Sequence, residues 1–314
     1  MTDETPWVRA VAPAKINAGL EILGKRDDGF HELDTVMVAL DRADALHVRP
    51  RAEGGVELAL SGSAASEDIP RDADNLVVRA VAPTLERAGR GARIELDKRI
   101  PSRAGLGGGS ADAAAALVAV RHLLGTSGGA WACAEELARL GSDCAFFVDA
   151  RESGCARCTG RGELVEPWPA PDPSLCFAVF VPALDCPTGL VYGKLPTPAS
   201  RAQAGRMRAA LAEGDVEALQ ELAYNRLEEG AVRAVPELRR WRALCDAHAP
   251  RRWILSGSGS AFFGVFSHED GAQSALMEIE ERARQEGLLC RDSFCSRPNG
   301  MGASIEEVGA NRAS

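Results

Sequence analysis

Residues 100 to 116 read IPSRAGLGGGSADAAAA and combine the end of a strand, a glycine-rich turn and the beginning of an alanine-rich helix. Glycine permits positive φ and lets the main chain approach a phosphate closely. The N–H groups at a helix N-terminus attract an anion. We therefore predict a phosphate-binding loop, although a tight connection that serves packing alone would use the same glycines. The predicted phosphate-binding residues are Gly105, Leu106, Gly107, Gly108, Gly109 and Ser110.

This loop differs from the two most familiar phosphate-binding sequences. No lysine follows the glycines, so the loop does not match GxxxxGK[ST]. It also lies a hundred residues into the chain, whereas GxGxxG opens a βαβ unit close to an N-terminus. The sequence therefore predicts a phosphate site of another kind. Ser110 could bind a phosphate oxygen or Mg²⁺, or it could be a plain helix N-cap.

Composition limits the classes of partner. The 314 residues are 46% hydrophobic, which suits a globular chain with two packed lobes. The net charge of −9 argues against a nucleic-acid partner, because binding to a phosphate backbone needs a basic face. No apolar run reaches about 18 residues, so no membrane span is predicted. The N-terminal segment lacks the apolar core of a secretory signal. We expect a cytoplasmic protein with a small-molecule substrate, either a monomer or a weak homodimer.

The nine cysteines contain one closely spaced pair, Cys155 and Cys158. A structural zinc site needs a second pair at matching spacing, and the chain offers none. If residues 153–159 form a strand, side chains three positions apart point to opposite faces. We expect inert, reduced thiols.

Hydrophobic periodicity predicts a mixed α and β chain. In the first half, strands are predicted at 8–12, 16–23, 35–40, 46–49, 56–60, 94–100 and 146–148, and helices at 75–88, 112–124 and 132–140. In the second half, strands are predicted at 177–181, 253–255, 261–266 and 288–294, and helices near 200–212, 215–228, 236–247 and 271–286. The proline-rich segment from Glu166 to Ser174 predicts a domain boundary.

Two further stretches extend the argument. Pro13-Ala14-Lys15-Ile16-Asn17 lies near the N-terminus, and Ser256-Gly257-Ser258-Gly259-Ser260 lies near the C-terminus. With the glycine loop between them, they resemble the three signatures of the GHMP small-molecule kinases, in the family's order. The resemblance implies an α+β fold with an active site in the cleft between two lobes. It implies a strand-rich ATP-binding domain over 1–165 and an α/β sandwich-like domain over 166–297. The tail, 298–314, has no recognised counterpart.

Other stretches resemble one branch of that family. They are Arg26 to Leu33, Asp74-Asn75-Leu76, Leu140 to Phe147 and Thr159 to Glu163. This branch phosphorylates the 2-hydroxyl of a cytidine-diphosphate-linked methylerythritol in the non-mevalonate route to isoprenoid precursors. The chain departs from the branch pattern at Phe30, where tyrosine is usual, at Cys144-Ala145 in place of Val-Pro, and at Ala111 in place of a second serine. The resemblance implies ATP and Mg²⁺ as cofactors, with Ser110 as a metal contact.

The resemblance also implies two catalytic residues. Asp143 would be the base that takes the proton of the alcohol, and Lys15 would stabilise charge beside it and the transferred phosphoryl group. From the residues alone, the simpler interpretation is favoured, in which Asp143 is a turn former and Lys15 is a surface lysine.

The remaining site residues are implied in the same way. Phe30 and Tyr192 would stack on the cytosine and His31 would bond its edge, with Thr188 and Asn17 as polar contacts. Gly257, Ser258 and Gly259 would close over the substrate, and Asn75 with Lys98 would line an adenosine pocket. Without the resemblance, Phe30 could be a core aromatic, Asn75 a helix N-cap, Lys98 a strand-end charge and the third loop a hairpin turn. Two other functions stay open, namely a related kinase acting on mevalonate, homoserine or a sugar, and a catalytically silent ligand sensor.

Overall fold

The computed structural model describes residues 6–126, 136–195, 203–247 and 253–310. Within these residues two sheets are present, with helices packed on both, and the predicted α+β fold class is confirmed. The larger sheet has eight strands and the smaller sheet four. None of the described helices is both long and apolar enough to cross a bilayer.

The larger sheet is built mainly by the first half of the chain. Its strands are β1 (Pro6–Lys25), β2 (His31–Arg51), β3 (Gly55–Ser61), β4 (Gly91–Asp97), β5 (Cys155–Gly160), β6 (Leu164–Pro167), β8 (Tyr224–Asn225) and β12 (Ser304–Ala310). The central path runs β12-β1-β2-β4-β3, while β5 pairs with β2 and β6, and β8 pairs with β1.

The smaller sheet belongs to the second half of the chain. Its strands are β7 (Cys176–Pro182), β9 (Ile254–Leu255), β10 (Phe262–Phe266) and β11 (Cys290–Ser296), in the order β11-β7-β10-β9. The β7 strand is buried at every position, as expected of a central strand covered on both faces.

The described helices are α1 (Leu76–Ala88), α2 (Gly108–Leu123), α3 (Cys144–Asp149), α4 (Thr188–Tyr192), α5 (Ala204–Glu213), α6 (Val216–Leu222), α7 (Leu227–Ala234), α8 (Leu238–Asp246) and α9 (Glu269–Gln285). Most lie within a few residues of their predicted positions. The predicted helix 215–228 is two helices, because Tyr224 and Asn225 leave the helix to pair with β1. The predicted helix 132–140 lies partly outside the described residues.

The two N-terminal strands correct the prediction. We expected two strands separated by a turn at Pro13, and again two strands at 35–40 and 46–49, but each pair is one continuous strand. The register of β1 against β2 shifts between Pro13 and Lys15. A bulge tolerates the missing N–H of proline and bends the strand without ending it. This irregularity immediately precedes Lys15.

The predicted buried strand at 146–148 is also wrong, because these residues form the middle of α3. A short apolar run does not distinguish a buried strand from a buried helix. Phe146 and Phe147 are fully buried beneath the larger sheet's helical layer.

The alanine-rich helix α2 packs closely on the larger sheet. Its residues 113–116 are completely buried in the core formed with α1, β1, β2 and β4. Small side chains let the helix axis approach the strands, so the N-terminus of α2 is fixed close to β1.

The C-terminal tail lies on the larger sheet. Strand β12 pairs with the outer edge of β1, and the backbone N–H groups of Gly302 and Ala303 donate to the carbonyls of Arg151 and Phe147 at 3.1 and 2.8 Å. Sequence analysis did not predict this strand. The domain boundaries at 165 and 297 stay predictions, although β8 and β12 belong to the sheet that the first half begins.

Candidate active site

A large cleft of about 1240 Å³ lies between the two halves of the molecule. The first signature, the glycine loop and the third loop all contribute to its lining. Every predicted site residue lines the cleft except Gly259, whose Cα faces Leu255 and Cys186. The structure therefore brings together residues that lie more than 200 positions apart in the chain.

The glycine loop presents backbone amides to the cleft. Gly107 is the N-cap of α2 with φ of 72°, and the first intrahelical bond runs from Ala111 N to the Gly107 carbonyl at 2.9 Å. The amides of Gly108, Gly109 and Ser110 thus precede the first helical bond and can bind an anion. Ser110 is the third residue of the helix, so the alternative of a Ser110 N-cap is wrong.

Close approach explains two of the glycines. A Cβ on Gly107 would lie 2.9 Å from Lys15 Cγ, and a Cβ on Gly105 would lie 2.0 Å from the Ser256 carbonyl oxygen. Both residues also have positive φ, which favours glycine. The loop is therefore packed against the first signature on one side and the third loop on the other.

The side chains of Lys15 and Asp143 meet beside this loop. Lys15 Nζ lies 3.2 Å from Asp143 Oδ2 and donates to Asn17 Oδ1 at 2.6 Å. The Lys15 side chain is 3% exposed and that of Asp143 is 31% exposed, so the carboxylate faces the cleft while the ammonium lies beneath it. Asp143 precedes α3, but its carboxylate is directed to Lys15 and makes no capping bond to the amides of α3.

Asn17 is held by a short chain of hydrogen bonds. Its Nδ2 donates to Thr35 Oγ1 at 2.9 Å, and Thr35 donates onward to the Gly19 carbonyl at 2.8 Å. The Lys15 backbone N–H donates to the Leu106 carbonyl at 2.9 Å. These three bonds fix the first signature against its surroundings, so the position of the Lys15 ammonium is set by the fold.

The third loop is joined to the glycine loop. Ser256 Oγ donates to the Gly105 carbonyl at 3.0 Å, and the Ala261 N–H donates to the Ala104 carbonyl at 3.0 Å. Asn225 supports the loop from below, since its Nδ2 donates to the carbonyls of Leu255 and Gly257 at 2.7 Å each. Sequence analysis missed Asn225, because it has no signal other than a single amide after a helix.

The far end of the cleft is aromatic. Phe30 is 51% exposed on the turn between β1 and β2, where its N–H donates to Asp28 Oδ1 at 3.1 Å. The rings of His31 and Tyr192 lie 5.2 Å apart at 37°. Burial and the nearby Lys25 lower the pKa of His31, so the imidazole is neutral at pH 7 and carries one donor and one acceptor. Burial raises the pKa of Tyr192, which keeps its phenol neutral.

Thr188 connects this end to the third loop. Its Oγ1 lies 3.0 Å from Ser258 Oγ, within hydrogen-bonding distance. Thr188 begins α4, the helix that also carries Tyr192. A single short helix therefore positions one aromatic ring and one loop contact.

The two predicted adenosine residues are already bonded to protein groups. Asn75 is the N-cap of α1 and accepts from the Val77 N–H at 2.8 Å. The alternative of a helix N-cap, which the sequence left open for Asn75, is therefore confirmed. Lys98 is buried between Asp44 and Asp112, with 2.7 Å from its Nζ to Asp112 Oδ2. Both residues line the cleft, and their contact with a nucleotide stays a prediction.

The cluster of Lys98, Asp44 and Asp112 was not predicted. Asp44 is completely buried and accepts from the backbone N–H of Arg99 and of Ile100, which fixes the segment between β4 and the glycine loop. Burial and the neighbouring Asp44 raise the pKa of Asp112 to about 8 despite the adjacent lysine. Aspartates within apolar strand and helix patterns give no sequence signal that they will meet.

The described cysteines of β5 and α3 are buried. Cys155 and Cys158 both lie in β5, and burial raises the pKa of Cys155 to about 12 and holds that of Cys158 well above its usual value. Cys144, beside Asp143, has a pKa raised to about 11 by burial. Among the described residues no group of three or more His, Cys, Asp and Glu side chains is arranged to bind a metal ion.

Comparison with known proteins agrees with this geometry. Residues 75–155 match the family model of the GHMP kinases N terminal domain, and residues 207–285 match that of the GHMP kinases C terminal. The 4-diphosphocytidyl-2-C-methyl-D-erythritol kinase of Pelotomaculum thermopropionicum is 37% identical over 295 residues, covering 92% of this chain and 99% of the relative. The enzyme of that name from Thermus thermophilus is 39% identical over 285 residues, covering 87% and 93%.

Solved structures show the same relationship. A crystal structure of 4-(cytidine 5'-diphospho)-2C-methyl-D-erythritol kinase has a TM-score of 0.72 and 34% identity, and the match covers 93% of this chain and all of that one. A homoserine kinase from Cytophaga hutchinsonii has a TM-score of 0.73 at 21% identity, which is a likeness of fold alone.

Proposed function

The chain belongs to the GHMP kinase superfamily, where its relatives are 4-diphosphocytidyl-2-C-methyl-D-erythritol kinases, and from that premise we propose that it phosphorylates the same alcohol. The reaction transfers the γ-phosphoryl group of ATP to the 2-hydroxyl of 4-diphosphocytidyl-2-C-methyl-D-erythritol. The protein acts in the cytoplasm on this small molecule, as a monomer or a weak homodimer.

One observation carries the proposal. The carboxylate of Asp143 and the ammonium of Lys15 lie 3.2 Å apart, next to the backbone amides that open α2. Phosphoryl transfer needs positioning and charge stabilisation more than covalent chemistry. A base, a cation and an anion-binding helix terminus at one point of a cleft supply those requirements.

Each residue then has a distinct task. Asp143 accepts the proton that the 2-hydroxyl loses as its oxygen forms a bond to the γ-phosphorus. Lys15 stabilises the ionised carboxylate and the negative charge on the transferring group. The amides of Gly108, Gly109 and Ser110 bind the phosphates of ATP and fix them in line with the attacking oxygen.

The cytidine of the substrate binds at the aromatic end of the cleft. Phe30 and Tyr192 offer ring faces for stacking, and neutral His31 offers a donor and an acceptor to the edge of the base. The remaining contacts come from Thr188, Asn17, Gly257 and Ser258, and Asn75 with Lys98 borders the adenosine.

The donor set also fits Mg²⁺ delivered with ATP. Mg²⁺ is bound through few protein oxygens and through substrate phosphates, so it needs no dedicated cluster of side chains, and none is present among the described residues. Ser110 would supply a hydroxyl to it from the first turn of α2. When bound, the ion neutralises charge on the phosphates.

The test is ADP release from ATP with three alcohols, namely the cytidylated substrate, mevalonate and homoserine. We expect turnover with the cytidylated alcohol alone. Preference for mevalonate or homoserine would identify the protein as another kinase of the superfamily. Binding of the cytidylated alcohol without ADP release would identify a silent sensor instead.

A further inference from the structure

The cationic side chains of the cleft differ in how much they are exposed and in how closely they contact carboxylates. The Lys15 and Lys98 ammoniums are each 3% exposed and lie against carboxylates. Arg103 is 68% exposed and reaches Asp185 at 3.8 Å, at the rim. Lys25 also lines the cleft, at an exposed position near His31. Arg161 differs from these four, because its side chain is 28% exposed within the cleft and its guanidinium lies 4.7 Å over the ring of Phe30.

The protein contacts of the Arg161 guanidinium are long. Its Nε lies 3.6 Å from Glu163 Oε1, beyond hydrogen-bonding distance, and its Nη2 donates to the Ala138 carbonyl at 3.4 Å. The Glu163 carboxylate is already bonded, since its Oε2 accepts from the Arg161 backbone N–H at 2.5 Å. The guanidinium therefore retains donors that can turn to a ligand.

Arg161 also lies between the two ends of the cleft. It belongs to the turn joining β5 and β6, between Gly160 and Gly162, which both have positive φ. A Cβ on Gly162 would lie 3.9 Å from Asp143 Oδ1. The backbone of this turn thus approaches the catalytic carboxylate while the Arg161 side chain reaches the aromatic end.

We propose that Arg161 binds the diphosphate of the cytidylated alcohol and determines specificity for a diphosphate-bearing substrate. The inference rests on the proposed function, in which the cytosine ring lies at Phe30 and the reacting hydroxyl lies at Asp143. The diphosphate connects those two parts of the substrate, so it must cross the space between them. Arginine presents a planar set of donors that matches phosphate oxygens in pairs.

Charge balance supports the same assignment. The amides of the glycine loop are occupied by the phosphates of ATP in the proposed complex, so the second diphosphate needs another cation. The protein carries a net charge of −9, and Asp143 contributes a carboxylate close to the path of the substrate. Without a positive group there, bringing a further dianion into the cleft would be unfavourable.

A competing interpretation is that Arg161 only supports the Phe30 ring through a cation–π contact. The two interpretations differ in their ligand dependence. A diphosphate contact affects CDP but not cytidine, whereas support of the ring affects both ligands equally, because both contain the base.

The experiment compares Arg161→Gln and Arg161→Lys with Arg151→Gln, a change at an exposed arginine outside the cleft. Calorimetric titration measures binding of CDP and of cytidine to each full-length protein, and steady-state assays measure KM for both substrates. For Arg161→Gln we expect CDP binding to weaken about tenfold, the KM of the cytidylated alcohol to rise similarly, and cytidine binding to change less than about twofold. The CDP affinity of Arg161→Lys should lie between those of the wild type and Arg161→Gln, and Arg151→Gln should bind CDP as the wild type does.

Three results would overturn the inference. Equal losses for CDP and cytidine would assign Arg161 to support of Phe30. A rise in the KM of ATP alone would assign it to the nucleotide phosphates, and unchanged CDP binding would remove it from recognition. Failure of the wild type to bind CDP or to phosphorylate the alcohol would instead contradict the proposed function, so the two failures are distinguishable. Unchanged thermal unfolding of Arg161→Gln separates a binding effect from a folding defect.

Discussion

The end of the cleft proposed for catalysis, with Lys15 and Asp143, and the aromatic end, with Phe30, hold their side chains in different ways; the first is called the catalytic end below. Lys15 is buried and bonded to two neighbours, and the glycine loop beside it is joined to β1 and to the third loop. Phe30 stands half exposed on a turn, with an arginine over one face. The catalytic end is fixed by the fold, whereas Phe30 at the aromatic end is an addition to a strand connection.

This difference separates two kinds of sensitivity. A group bound into the core affects folding as well as chemistry when it is changed, because its partners lose their own bonds. An exposed ring on a turn contributes to binding with little effect on stability. We therefore expect changes at the catalytic end to alter kcat or stability, and changes at the aromatic end to alter KM.

The largest effect is expected when Asp143, the proposed proton acceptor, is changed. Asp143→Asn preserves shape but removes the proton acceptor, so kcat should fall about a thousandfold while ATP binding changes little. Steady-state assays and nucleotide titration measure the two quantities. Asp149→Asn, on the same helix but outside the cleft, is the matched control. A fall in kcat below tenfold would show that Asp143 does not act as the base, and that the fixed end is not the catalytic one.

The next effect concerns stability. Gly107→Ala places a Cβ 2.9 Å from Lys15 Cγ at a φ of 72°, and we expect the free energy of unfolding to fall by about 2 kcal/mol. Gly109→Ala is the control, because its Cβ would meet Leu76 Cδ1 at an ordinary 3.6 Å. Denaturant unfolding measures both. Equal stability of the two variants would mean that the loop is not held as tightly as the contrast requires.

At the aromatic end, Phe30→Ala should raise the KM of the cytidylated alcohol about tenfold, since stacking on a base contributes about 1–3 kcal/mol. Neither kcat nor the unfolding midpoint should change appreciably, because the ring is half exposed. Phe30→Tyr keeps a stacking face and should behave as the wild type. Loss of stability in Phe30→Ala would contradict the distinction between the two ends.

The last effect concerns the dependence of stability on pH. The pKa of Asp112 is about 8 in the folded protein and about 4 when unfolded, so between these values the folded state holds a proton that the unfolded chain releases. The free energy of unfolding should therefore decrease as pH rises through this window, by at most about 1.4 kcal/mol per pH unit. Asp112→Asn should flatten that slope, as measured by denaturant unfolding at pH 5.5 and 7.5. An identical slope in both proteins would show that Asp112 is ionised throughout.

Local signals predicted the glycine loop and the helix after it, since both depend on a few consecutive residues. The long strands were divided wrongly, because Pro13 suggests a turn unless a bulge in the paired strand is known. The pattern at Phe146 fits a strand as well as a helix, and only the packing beneath Asp143 selects the helix. Lys15 and Asp143 are 128 positions apart in the sequence, and only the family resemblance predicted that their side chains meet. Asp44 and Asn225 gave no signal, because their partners come from distant segments. Arg161 lies in a stretch that resembles the family, but nothing in the sequence indicated a role for its side chain.

The pairing of β12 with β1 has a consequence for synthesis. Residues 6–11 of β1 keep one edge unpaired until residues 304–310 have also been made, because β8 pairs with β1 only at residues 19 and 20. Exposed strand edges attract other chains, and the first half of a chain folds before the rest is made. This part of the larger sheet is thus open to mispairing until β12 has been made, and shielding of that edge by a chaperone would protect the unfinished polypeptide.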